Sequence, residues 1–250
     1  MDSLIPAKVI LLGTAFNDID VGSAAARLLA WPDDARFGYV VTPNADHFDR
    51  LARIPALRML YNTAALCVLD SKLISLLAGF GGLARPAVVT GTELCLALLP
   101  RLGGVRVAVI GMQGPAMAAL RARYPSVDFT HHNPPMGLLH NDTAFFAARD
   151  FALASGARFT FIALGSPVQE LLAYALSGDP RMRGVGLCIG AALDFCAGTM
   201  RRAPLWMRQN GLEWLHRLAQ DPWRLGGRYL ISDPRVIIRL GFTAFRQKAR

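Results

Sequence analysis

Nowhere in the sequence do about 18 apolar residues run without a charge, the length a helix needs to cross a bilayer. The best stretch, Cys67 to Ala84, contains Asp70 and Lys72, both costly in lipid, so no membrane-spanning helix is expected. The four cysteines, Cys67, Cys95, Cys188 and Cys196, show no C-x-x-C spacing; they read as buried reduced thiols rather than a disulfide framework or metal ligands. The opening MDSLIPAKVILL has no basic segment before its short apolar run, so no signal peptide is expected and the chain reads as cytosolic. There is no Walker sequence and no G-x-S-x-G elbow, which removes support for ATP hydrolysis and leaves hydrolase chemistry without a nucleophile. Internal repeats, low-complexity segments and long linkers are absent.

Negative charge is scarce in one place. Residues 1–198 hold 16 basic and 15 acidic groups, whereas residues 199–250 hold 11 basic and 3 acidic, so the last fifth carries +8 of the net +9. Within it, RRAPLWMRQNGLEWLHRL (Arg201 to Leu218) interleaves arginines with two tryptophans. Such a stretch can meet nucleic-acid phosphates, meet the anionic face of a membrane, or form a solvated helix face, and charge alone does not separate the three.

What is present suits a folded domain: 250 residues, 53% of them apolar, can bury about three-quarters of the unfolded chain's surface. Short apolar runs at Lys8–Leu11, Tyr39–Val41, Leu66–Leu69, Arg106–Ile110, Val127–Thr130, Phe159–Leu164 and Val185–Ile189 predict strands, several apolar on both faces as in a covered parallel sheet. Helical patterns follow most of them: Val21–Leu29, Ala45–Arg53, Thr92–Leu99, Pro115–Arg123, Asp142–Ser155 and Val168–Leu176. Repeated βα units predict a Rossmann-like, doubly wound, mostly parallel α/β domain over residues 1–198. Residues 199–250 read as a helical appendage of three pieces, Leu205–Ala219, Pro222–Ile231 and Pro234–Lys248, separated by Asp-Pro signals.

In an open parallel sheet the ligand lies beyond the carboxyl ends of the strands, and four such ends carry polar or glycine-rich sequence. In VVTPNADHF, Thr42 and Asn44 could hydrogen-bond a sugar, although Asn44 could equally cap the next helix. In CVLDSK, Asp70 is either a helix cap or a general base. In VIGMQGP, Gly111, Gln113 and Gly114 allow backbone amides to approach a phosphate, without the full G-x-G-x-x-G. In ALGSPVQE, Gly165 and Ser166 precede Pro167 at an expected first helical position, with Gln169 and Glu170 in the first turn; a normal helix start accounts for these equally. His131, His132 and His140 crowd around one turn, but adjacent histidines point apart and no carboxylate follows at ligand spacing, so no metal site is expected.

The order of these elements is more specific than any one of them. VVTPNADHF, LD-S-K, VTGTEL, LGSPVQE and then GLCIGAALDFCAGTMRRAPLWMRQNGLEWLHRLAQDPWRLGGRYL closely resemble the WecG/TagA/CpsF glycosyltransferase family (N-acetylmannosaminyltransferase-like), from about Ile10 to Leu240. The resemblance implies an inverting enzyme that moves a sugar from a UDP-sugar to a polyprenyl-diphosphate-linked saccharide at the cytosolic membrane surface. Such enzymes build teichoic-acid linkage units, enterobacterial common antigen or exopolysaccharide, from UDP-N-acetylmannosamine, its uronic acid or UDP-glucose. It implies no cofactor beyond the UDP-sugar co-substrate, no divalent metal and no nucleic-acid partner, and a homo-oligomer is compatible with it. Residue by residue, Asp70 matches the proposed base, Thr42 and Asn44 the T-x-N element, and Gln169 and Glu170 the P-x-Q-E element. Asp194 is placed for uracil or ribose, Gly111, Gln113 and Gly165 for the nucleotide, and Arg201 and Arg202 for diphosphate.

Several positions depart from the pattern. Ser71 follows Asp70 where glycine is usual, Val88 stands where an arginine is expected (Arg85 being a substitute to consider), Val168 replaces a lysine, and Gly137-Leu138 replaces G-Y. These bear on donor identity and keep a noncatalytic membrane scaffold in view, beside a nucleic-acid-binding module. For the membrane surface, Val236, Ile237, Leu240 and Phe245 with Arg235, Arg239 and Arg246 are the expected amphipathic contact, and Trp214 is the expected core anchor among Trp206, Trp214 and Trp223.

Overall fold

The computed structural model describes residues 7–220, 222, 226 and 233–248. A hairpin of β1 (Lys8–Leu11) and β2 (Thr14–Asn17) leads into α1 (Val21–Leu29). Six βα units follow: β3 (Gly38–Val41) with α2 (Ala45–Arg53) and α3 (Arg58–Asn62); β4 (Leu66–Cys67) with α4 (Lys72–Phe80) and α5 (Gly91–Leu98); β5 (Arg106–Gly111) with α6 (Gly114–Arg123); β6 (Asp128–His132) with α7 (Asp142–Ser155); β7 (Phe159–Ala163) with α8 (Val168–Ser177); and β8 (Val185–Cys188) with α9 (Ala192–Ala197). The tail forms α10 (Leu205–Gln209), α11 (Glu213–Gln220) and α12 (Asp233–Lys248).

Strands β3 to β8 form one six-stranded sheet in the order β4-β3-β8-β7-β5-β6, every pairing parallel. Side chains alternate across it. Val40, Val107, Val109, Phe161 and Leu187 pack under α1, α5, α6 and α9; Tyr39, Val41, Cys67, Ile110 and Ile162 pack under α2, α3, α4, α7, α8 and α12. Both faces are dry, which is why these strands read as continuous apolar runs. This is the Rossmann-like doubly wound fold expected from the sequence.

Local chemistry sets the element ends. The Asp20 side chain accepts from the Ser23 amide at 2.9 Å and starts α1. Gly111 ends β5 at φ +94°, and a Cβ there would stand 2.4 Å from the Ala163 carbonyl oxygen, so β5 and β7 close on each other only because the position is glycine. The first expected strand does not join the sheet: β1 pairs antiparallel with β2, a strand not foreseen. The single helix expected over Leu205–Ala219 is two, because Gly211 turns left-handed at φ +72° and the Leu212 amide reaches back to Met207 O, closing α10 as a C-terminal glycine does. Apart from residues 222 and 226, the expected helix Pro222–Ile231 lies outside the described residues, as does Trp223.

The last helix returns to the body. Val236, Leu240 and Ala244, spaced four apart on one face, are buried in the core shared with α2 and α4. Burial of a Val or Leu is worth about 1.5–3 kcal/mol. Val236 and Leu240, expected on the membrane side, therefore anchor the helix instead. The opposite face carries Ile238, Phe242 and Phe245, all exposed. The approach of α12 to α4 depends on Gly81, where a Cβ would lie 2.9 Å from that of Ala244.

Candidate active site

Two cavities lie at the carboxyl ends of the strands. The larger, about 790 Å³, is walled by the segments that follow β3, β4, β5, β7 and β8, and its size is typical of small-ligand sites. The smaller, about 270 Å³, lies between the β4–α4 turn, the start of α5 and helices α10 and α11. Asn44 and Asp70 line both cavities.

Two hydrogen bonds help to hold Asp70. Its amide donates to Pro43 O at 2.9 Å, and its Oδ2 accepts from the Gly91 amide at 3.1 Å. It does not cap the helix that follows it: α4 is capped by Ser71, whose Oγ accepts from the Ile74 amide at 3.2 Å. The serine in place of glycine thus has a local use, and the Asp70 carboxylate lies at the first turn of α5, where a helix N-terminus favours an anion.

Among the other residues singled out from the sequence, Thr42, Gln113, Gly165, Gln169, Asp194 and Arg201 also line the larger cavity. Thr42 Oγ1 donates to Cys188 O at 3.1 Å, tying the ends of β3 and β8 together. The Gln169 carboxamide is built into the scaffold: Oε1 accepts from the Gly190 amide and Nε2 donates to Glu170, each at 2.9 Å. Asp194 sits in the first turn of α9, and burial raises its carboxyl pKa above the ordinary value. Its own carbonyl receives the Thr199 and Met200 amides at 3.1 and 3.2 Å, which folds the chain back toward the cavity just before Arg201.

Three expected site residues do not line this cavity. Glu170 is completely buried, 3.3 Å from His47. Arg202 turns to Glu93, 3.7 Å away. Gly111 is explained by the close approach of β7. Nor is Pro167 the first residue of α8, since it is the cap before Val168. Val88 lines the smaller cavity beside Asp70, whereas Arg85 lies against Gly79 on α4 and lines neither cavity. Trp214 lines the smaller cavity, while Trp206 is exposed.

The sequence reading missed His47, Asp46, Thr92 and Met112, which all line the larger cavity. His47 stood inside VVTPNADHF, three residues beyond Asn44, and that spacing is a capping-box position. Met112 adopts φ +71°, a conformation uncommon for a side-chain-bearing residue. His131 holds that turn, its Nε2 lying 2.9 Å from Gly111 O and 3.1 Å from Met112 O. His132 stacks on Phe151. Among the described residues no group of three or more His, Cys, Asp or Glu is placed to hold a metal ion. One D-x-D spacing, Asp18-Ile19-Asp20, is used structurally: Asp18 accepts from the Ala87 amide at 2.9 Å and Asp20 caps α1.

A parallel sheet with a large cleft at its carboxyl edge, glycine-bordered turns and a carboxylate that lines a second cleft as well defines a Rossmann-like protein with its ligand cleft where such sheets carry it. The chain belongs to the glycosyl transferase WecG/TagA/CpsF family, whose match spans residues 9–250. It is therefore a glycosyltransferase of cell-surface polysaccharide synthesis.

Proposed function

We propose that the protein is an inverting glycosyltransferase that moves a sugar from a UDP-sugar onto a polyprenyl-diphosphate-linked saccharide at the inner face of the cell membrane. The observation that carries this reading is that Asp70 and Asn44 form the partition between the two cavities. A donor in the larger cavity and an acceptor hydroxyl entering from the smaller one meet at that partition. Asp70 takes the hydroxyl proton as the acceptor oxygen bonds to the anomeric carbon. The bond from that carbon to the diphosphate oxygen breaks on the opposite side, the configuration inverts, and UDP leaves with the electron pair.

The remaining residues follow from position. Gly165, exposed at the end of β7, lets backbone approach the diphosphate, and Arg201 supplies a cation in the same cavity. Asp194 faces the nucleoside, where a carboxylate can accept from uracil or ribose. Asn44, Thr42 and Gln169 border the sugar. The reading requires no metal. Lys72, Arg208 and Trp214 line the smaller cavity, so α10 and α11 complete the acceptor side.

The lipid carrier accounts for the tail. Ile238, Phe242 and Phe245 lie within roughly 60° of one another around α12, Arg235 and Arg246 flank them, and the group faces away from the body. Apolar side chains beside arginines suit the interface of an anionic bilayer, each arginine adding about 1 kcal/mol near such a surface. Among the described residues no helix is long and apolar enough to cross a membrane. The test is a panel of UDP-sugars with short-chain prenyl-diphosphate sugars, read by UDP release and product mass. Transfer to a single acceptor class is expected; no turnover with any pair would sink the reading.

A further inference from the structure

Behind the wall of the larger cavity lies a buried polar chain. His47, 7% exposed, points Nε2 at the fully buried Glu170, 3.3 Å from Oε1. Its other ring nitrogen, Nδ1, lies 2.9 Å from Asn44 Oδ1 and 3.2 Å from the Asn44 amide nitrogen. Glu170 also accepts from Gln169 Nε2, whose partner oxygen holds the Gly190 amide. One acidic group thus sits under two of the amide side chains that line the cavity, Asn44 and Gln169. A buried carboxylate without such partners would cost several kcal/mol.

We infer that His47 and Glu170 are a positioning pair for Asn44: Glu170 keeps a proton on His47 Nε2, and the ring so held fixes, through Nδ1, the Asn44 residue that lines both cavities. This rests on reading the cavity as the nucleotide-sugar site. The chemistry is a matter of donors and acceptors. A bare Nδ1 accepts from the Asn44 amide N–H. Asn44 Oδ1, 2.9 Å from the same nitrogen, belongs to the capping box that starts α2 on the His47 backbone amide, so the ring and the carboxamide are held as one unit. Burial would push the Glu170 carboxyl up, but contacts from His47, Gln169 and Ser166 outweigh it and hold the group below its ordinary value. Glu170 is thereby held as the anion, the form that accepts from a ring N–H at His47 Nε2.

The groups facing His47 are few. Glu170 comes from α8, and Tyr61 from α3, edge-on at 6.2 Å between ring centroids. Asp46 and Arg50, paired at 2.7 Å, are on its own helix, and Arg50 NH1 donates to Ser166 at 2.7 Å. Asp70 lines the same cavity from the end of β4. Burial raises the Tyr61 phenol far above its usual range, so it stays neutral.

The test combines kinetics with ring ¹⁵N resonances of His47. With the UDP-sugar and prenyl-diphosphate acceptor found by the panel, kcat and KM are measured from about pH 5.5 to 8.5, across the imidazole range. The variants are His47→Gln, His47→Asn, Asn44→Ala and the double variant His47→Gln/Asn44→Ala, each with a thermal melt. His47→Gln is expected to lower kcat by about 10²-fold, the scale of a small misplacement, with KM little changed. His47→Asn, whose amide reaches the Nδ1 position, should recover part of the loss, and the double variant should be no worse than Asn44→Ala alone. The ¹⁵N spectrum should show the proton on Nε2 in the native protein and shared between both nitrogens in Glu170→Gln. Losses that multiply in the double variant, or a neutral ring protonated at Nδ1, would overturn the pair. A native protein inactive with every donor would overturn the transfer reading instead, and the ¹⁵N result would still decide the pair.

Discussion

Residues 7–198 and the tail that follows place their large apolar side chains differently. Eight of those exposed belong to the whole of residues 7–198, and seven belong to the described part of residues 199–248, so the tail exposes them several times more densely. It also holds nearly all the excess positive charge. A body packed on both faces of a sheet gains its stability from itself. A tail with apolar and cationic groups side by side would gain by meeting the bilayer that the proposed function assigns to it. Helix α12 belongs to both regimes at once, with Leu240 turned in and Phe242 turned out.

The largest effect should come from the partition between the cavities. Asp70→Asn is expected to cut transfer by about 10³-fold, within the range for loss of a general base, while the melting curve and UDP binding stay near native; retained turnover would return the chain to the scaffold reading. Next, Leu240→Ala should cost about 2–4 kcal/mol by urea denaturation, whereas Phe242→Ala, on the same helix, should stay within about 0.5 kcal/mol. Equal costs would erase the distinction between the two faces. The converse pair, Phe242→Asp with Phe245→Asp, should weaken sedimentation with anionic vesicles by about 30-fold, from the lost burial of two aromatic rings. Transfer onto a water-soluble acceptor should be unaffected.

Asp194→Asn should have the smallest effect. The folded carboxyl is raised by burial, so the stability linked to it is present below the unfolded value, about 3.9, and is lost as pH rises through the folded one. The variant should melt slightly higher at pH 7, no higher at about pH 3, and bind UDP several-fold more weakly by calorimetry. Glu170 has the opposite sign. Its folded carboxyl is depressed, so its contribution is present above the unfolded value, about 4.3, and is lost as pH falls through the folded one.

Sequence reading located the sheet well because buried parallel strands are apolar on both faces, and it placed the starts of α1, α2 and α7 where Asp20, Asn44 and Asn141 cap them. It missed β2 because TAFN is short and its pairing is set by the hairpin. It could not tell inner from outer on α12, since Val236 and Phe245 are equally apolar and only contact with α2 and α4 separates them. In the site, order along the chain was informative while side-chain direction was not. Gln169 and Glu170 are adjacent letters, yet one lines the cavity and the other sits beneath it. Arg201 and Arg202 diverge in the same way.

Gly81 offers a handle on the whole arrangement. Its backbone is ordinary for any residue, at φ −74°, so only the missing side chain lets Ala244 come so near. One added methyl there would pry the terminal helix from its seat without altering an atom that borders either cavity. On the proposed function, such a protein should still bind UDP while losing its hold on anionic vesicles, so that catalysis and attachment could be assayed apart.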